Sequence, residues 1–103
     1  MGKKLLDQYS YLHFAVGIVI YFWGINLKNW FIIHIIFEIV ENSNLGMNFI
    51  NNYIKIWPGG KPKSDSLQNM TGDTIAAMLG WISAYYIDNL GKKYNLYDLH
   101  IKI

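Results

Sequence analysis

His13, the trio His34, Glu38 and Glu41, and the run Asp65, Asn69 and Asp73 are the residues whose types could do chemistry. His34, Glu38 and Glu41 step by i, i+4, i+7, and Asp65, Asn69 and Asp73 by i, i+4, i+8, so each set occupies one face if its segment is helical. Imidazole nitrogens mixed with carboxylate oxygens suit a divalent cation. A Glu38 or Asp73 carboxyl whose pKa is raised by desolvation would serve as a general base on a lipid-linked substrate. With Asn42, the same groups would also bind a polar headgroup without chemistry, or hydrogen-bond helices to one another. Neither Glu38-x-x-Glu41 nor His34-x-x-x-Glu38 has the specificity of a signature such as H-E-x-x-H. No nucleophile–base pair stands out. Glu38, Glu41, Asp73 and His13 are therefore the catalytic candidates as a set. The spacing commits to no cofactor, and a divalent cation is the candidate ligand. His100, in the tail, reads as a solvated residue.

The elements that must position these residues follow from the apolar pattern. Wound as one helix, residues 65–84 place Asp65, Asn69 and Asp73 on the same face as the stripe Gly72, Ala76, Gly80 and Ala84. The back carries Ile75, Met78, Leu79, Trp81, Ile82, Tyr85 and Tyr86. Large apolar side chains outside and small or polar ones inside invert the soluble pattern and suit a helix with lipid behind it and other helices in front. Three membrane helices are expected, at 8–27, 28–43 and 67–88. An interfacial amphipathic helix is expected at 45–57, and a short extended tail at 94–103, where Tyr97 to Ile103 alternates apolar and polar. Asn26 to Asn29 is a tight link, so the first two helices should form an antiparallel hairpin, and Pro58 to Pro62 a turn. The start of helix one, the end of helix two and the start of helix three then share one side. His13, Glu38, Glu41, Asn42, Asn69 and Asp73 converge there, with His34 deeper. The fold class expected is an all-α integral membrane protein forming one domain over residues 1–103.

Composition narrows the function classes. Apolar residues make up 52%, aromatics 17% and charged residues 16%, the last well below the roughly 25% of soluble domains. All nine basic residues are lysines, and the net charge is +2. No arginine fork and no basic patch argue for nucleic acid. The absence of cysteine removes disulfides, thiolate chemistry and cysteine-ligated metals. Asp7 interrupts the basic-then-apolar start, which argues against a cleaved signal peptide, and Leu6 breaks a myristoylation motif at Gly2. Five lysines on one side against four on the other slightly favour an inside amino terminus.

Three blocks occur in order: Asp7 to Gly17 around His13, Phe37-Glu38-Ile-Val-Glu41-Asn42-Ser43, and Asp65-Ser66-Leu-Gln-Asn69-Met-Thr-Gly72-Asp73. Together they resemble an uncharacterised bacterial family of polytopic membrane proteins, itself similar to the VanZ-like group, over about residues 7–87. The resemblance implies a membrane fold and shared polar positions at His13, Glu38, Glu41, Asn42, Asp65, Asn69 and Asp73. The chain departs from the pattern at Val16, where a second histidine is expected, and at His34, where an acid is expected. No settled activity follows from the family.

The reading from sequence is thus an integral membrane protein of a bacterial inner membrane, or of a viral or organellar one. Its polar cluster specifies packing or binds a lipid headgroup, as a non-catalytic subunit or scaffold of a larger assembly. The alternative is a membrane-embedded hydrolase or transferase acting on a lipid or lipid-linked phosphate. The partners expected are the bilayer and either further copies of the chain or a host complex, because three helices do not easily enclose a site alone.

Overall fold

A computed structural model describes residues 3–56 and 63–96. Four helices run through them: α1 (Gln8–Phe22), α2 (Leu27–Glu41), α3 (Asn44–Tyr53) and α4 (Leu67–Lys93). Each start has a local cause. Asp7 caps α1 in a capping box with Ser10. Asn26, Ser43 and Ser66 cap α2, α3 and α4, each side chain accepting from a first-turn backbone N–H. α1 stops at Phe22 because Gly24 adopts a positive φ of 83° and Asn26 is already extended as the next cap.

The fold is all-α, but the helices do not support the three membrane spans expected from the sequence, nor the integral membrane location that rested on them. Among the described residues no helix is long and apolar enough to cross a membrane. α1 and α2 have 15 residues each, about 22 Å at 1.5 Å per residue, against a hydrocarbon core of about 30 Å. α4 has 27 residues, but Asp73, Asp88, Lys92 and Lys93 lie along it. The extension of the first span to residue 27 fails at Gly24. The helix expected at 45–57 is shorter, running from Asn44 to Tyr53. The turn at 58–62, most of the extended tail and His100 lie outside the described residues.

The inside-out character of α4 does hold in space. Asn69, Gly72, Asp73, Ala76, Ala77, Gly80, Ala84, Asp88 and Gly91 are buried, while Ile75, Leu79, Tyr85, Tyr86, Ile87 and Leu90 are exposed. The interior is correspondingly small: the buried apolar residues are Ile20, Trp30, Ala76, Ala77 and Ala84. Close backbone approach takes the place of bulky side chains. A Cβ at Gly80 would run into the Phe14 carbonyl, one at Gly17 into the Ala77 carbonyl, and one at Gly72 into the Leu5 carbonyl.

The small-residue stripe therefore serves α1 within the chain. α1 packs chiefly on α4 and runs parallel to it, with Ser10 beside Asp73 and Tyr21 beside Asp88. α2 runs antiparallel against α4. Trp30 Nε1 donates to the Ala77 carbonyl at 3.1 Å, and His34 meets Thr74 one turn nearer the start of α4. α1 and α2 touch each other far less than either touches α4, so α4, rather than an α1–α2 hairpin, organises the bundle.

Candidate functional site

The end of the bundle where α1 begins, α2 ends and α4 begins holds the polar groups. His34 is 1% exposed, Asp73 1%, Asn69 2% and Glu38 3%. Burying this many polar groups is costly unless each finds partners. His13, one turn into α1, reaches across to both other helices. Its Nε2 lies 3.3 Å from Asp73 Oδ2 and 3.7 Å from Glu38 Oε1, and its Nδ1 lies 3.1 Å from His34 Nε2. His34 Nε2 in turn lies 3.5 Å from Glu38 Oε1.

The network fixes the tautomers. Thr74 Oγ1 donates to the Met70 carbonyl at 2.8 Å and so accepts from His34 Nδ1–H at 3.3 Å. His34 Nε2 then carries a lone pair and accepts from His13 Nδ1–H. His13 Nε2–H donates to Asp73, whose other oxygen accepts from Ser10 Oγ at 3.2 Å. The environments of the two rings favour this assignment. Burial alone would push His13 down, but the hydrogen bond to Asp73 and the charges of Asp73, Glu38 and Glu41 outweigh it and raise its pKa above 6.5. Burial, and then the His13 charge, push His34 down to about 4. The charged form of His13 is thus favoured between carboxylates, and the neutral form of His34 beside it.

The remaining polar residues hold this centre in place. Asn42 donates to Glu38 Oε2 at 3.1 Å and to the Glu38 carbonyl at 2.8 Å, and its Oδ1 accepts from the Asp65 N–H at 2.7 Å. It therefore clamps the end of α2 to the approach to α4. Asn69 donates to the Lys4 carbonyl at 2.7 Å and to Asp7 Oδ2 at 3.2 Å, tying the segment before α1 to α4. Glu41 is buried at 6% exposure and acts on His13 through its charge. Asp65 lies ahead of the Ser66 cap rather than on the helix face expected for it. Its carboxylate nevertheless falls with those of Glu38 and Asp73. Gly72, Ala76, Gly80 and Ala84 bring α1 close and carry no chemistry.

Two donor sets that share Glu38 are candidates for a cation. Ligand atoms of His13, His34 and Glu38 lie within 4.8 Å of one another, as do those of Glu38, Asp65 and Asp73. In a tetrahedral shell with bonds near 2.1 Å, neighbouring ligand atoms are about 3.4 Å apart. The three nitrogen–oxygen separations of 3.3, 3.5 and 3.7 Å bracket that value. The His34 Nε2 lone pair, which here accepts from His13 Nδ1–H, would turn to a cation on loss of that proton, and its Nδ1–H is held by Thr74, the outer support that histidine ligands ordinarily have.

Two features escaped the sequence reading. Thr74, which sets the His34 tautomer, adjoins Asp73. Asp88 continues the i, i+4 stripe from Gly72 through Ala84 by one more step, and that continuation was the available signal.

Comparison with protein-family models, curated proteins and solved structures found no match.

Proposed function

We propose that this chain binds one divalent transition cation, such as Zn2+, through His13, His34, Glu38 and Asp73, and that the cation locks α1, α2 and α4 together. The observation that carries the reading is that His13 lies 3.3 Å from Asp73 and 3.7 Å from Glu38, and His34 3.5 Å from Glu38, so that a small inward shift of Asp73 would complete the set His13, His34 and Glu38. Charge supports it: a protonated His13 offers one positive charge to two carboxylates, and a dication offers two. Closed sites of this kind are structural, because catalytic ones keep a position open for substrate or water. With three of the four ligands at 3% exposure or less, the role is non-catalytic. The resemblance to the VanZ-like group is compatible with such a role and assigns no reaction.

The outer faces of α2 and α4 carry Phe31, Ile32, Ile36, Ile39, Leu79 and Ile87, all exposed, and apolar surface of this extent is what a subunit offers to a larger assembly. The test is thermal unfolding with saturating Zn2+ and with chelator. At a hundredfold excess over Kd the cation adds about 2.7 kcal/mol, about 10 °C or more for a chain of this size. Asp73→Asn and Glu38→Gln should each abolish that increment. A melt indifferent to Zn2+ would leave the cluster as an internally balanced ion pair and overturn the proposal.

A further inference from the structure

A cavity of about 540 Å³ lies at the other end of the bundle, between the end of α1, the α1–α2 link and the last turns of α4. Tyr21, Trp81, Tyr85, Asp88, Asn89 and Lys92 are among the residues lining it. Its aromatic wall is held in place. Trp81 Nε1 donates to the Ile25 carbonyl at 2.8 Å. Tyr85 stacks on Trp81, their rings 10° apart in plane with centroids 5.5 Å apart, and Tyr21 meets Trp81 edge-on at 5.4 Å. The Tyr21 hydroxyl donates to Asp88 Oδ2 at 2.6 Å, joining the wall to a carboxylate that is only 5% exposed.

Asp88 is expensive where it stands. Burial penalises its charge, which its partners must offset. The Tyr21 hydroxyl and the Lys92 ammonium both meet it there. Lys92 Nζ lies 3.0 Å from Asp88 Oδ2, at the end of a side chain that is 43% exposed.

We propose that this cavity binds a small organic ammonium with an aromatic or apolar body. Its nitrogen takes the place that Lys92 Nζ holds on Asp88, and its body lies against Tyr21, Trp81 and Tyr85. Three elements suit that ligand. The volume is in the range of small-molecule sites, the rings attract a cation over their faces, and the buried carboxylate already accepts an ammonium. Lys92 is then an internal competitor, able to swing into solvent on its half-exposed stem.

The experiment titrates phenethylammonium, with 2-phenylethanol as its neutral counterpart, into the full chain and follows the Trp81 indole N–H resonance and the heat of binding. Phenethylammonium should bind saturably and the alcohol should not. Lys92→Met, which removes the competitor from an exposed position, should tighten binding by about threefold, the scale of a half-exposed ion pair. Asp88→Asn should weaken it by roughly tenfold or more, as loss of a charge-assisted hydrogen bond does. Failure of phenethylammonium to bind, equal binding of the alcohol, or unchanged or weaker binding by the Lys92→Met protein would each overturn the proposal. The Lys92→Met result decides the matter even if Asp88→Asn does not fold.

Discussion

Gly80→Ala perturbs the contact on which the bundle depends. A Cβ at residue 80 would fall on the Phe14 carbonyl oxygen, with the Phe14 carbonyl carbon at 2.8 Å and its Cα at 3.1 Å. All three atoms are backbone, so no side chain can turn aside. Moving the carbon alone from 2.8 Å to the 3.4 Å of ordinary contact drives α1 and α4 apart by about 0.6 Å, and the oxygen must retreat further. Overpacking of this kind costs about 1–3 kcal/mol. Alanine returns up to about 1 kcal/mol through its better helix propensity, which leaves a net loss of about 1–2 kcal/mol. Urea unfolding followed by circular dichroism measures it as a lower midpoint at unchanged slope. Gly17→Ala attacks the same gap from the other side, since its Cβ would meet the Ala77 carbonyl and lie 2.9 Å from the Trp81 backbone nitrogen. The double variant should lose less than the sum of the two singles, because the first substitution already opens the space. A Gly80→Ala protein as stable as the parent, or more stable, would refute the close-packing argument.

Three further outcomes follow from the same contacts. Trp30→Phe removes the second donor to the Ala77 carbonyl, which also accepts within α4, at a residue 0% exposed, and it should cost about 0.5–1.5 kcal/mol of unfolding free energy. Asp7→Ala removes the α1 cap and one acceptor of Asn69, for a loss of about 1–2 kcal/mol, visible as a lower melting temperature. In cation-free protein the histidines should give stability a maximum near pH 6.5. His34, depressed from 6.5 to about 4, contributes stability that is present above 6.5 and is lost as pH falls towards 4, by at most about 3 kcal/mol. His13 is raised, so its contribution is full below 6.5 and is lost as pH rises through its folded value. His34→Asn should flatten the acid limb, and an acid limb unchanged by that substitution would refute the assignment of a neutral, buried His34.

What could be read in the sequence was the inner face of the bundle. Asn69, Asp73 and the small residues between them step by four, and that period survives folding because it is a property of the helix itself. The meeting of His13, Glu38 and Asp73 was legible once the directions of three helices were alternated. The outer face misled. Its apolar side chains suggested lipid, but spanning depends on uninterrupted length, and Gly24 and the charges along α4 prevent that. The short link does turn α2 antiparallel to α1, but close backbone contact at Gly17 and Gly80 makes α4 the chief partner of α1. Helix starts at Gln8 and Leu67 fell where expected, whereas the far ends did not: α1 stops at Phe22 and α4 runs on to Lys93. Nothing in spacing alone revealed that Thr74 would orient His34, because that contact joins two helices 40 residues apart.

The central claim is that His13, His34, Glu38 and Asp73 ligate one divalent cation. Zinc K-edge absorption on the chain loaded with one equivalent of Zn2+ tests it most directly. The account predicts a four-coordinate shell of two imidazole nitrogens and two carboxylate oxygens at about 2.0–2.1 Å, with the imidazole signal reduced in a His13→Asn protein. Zinc that is not retained through dialysis, or a shell of six oxygens without imidazole, would contradict it.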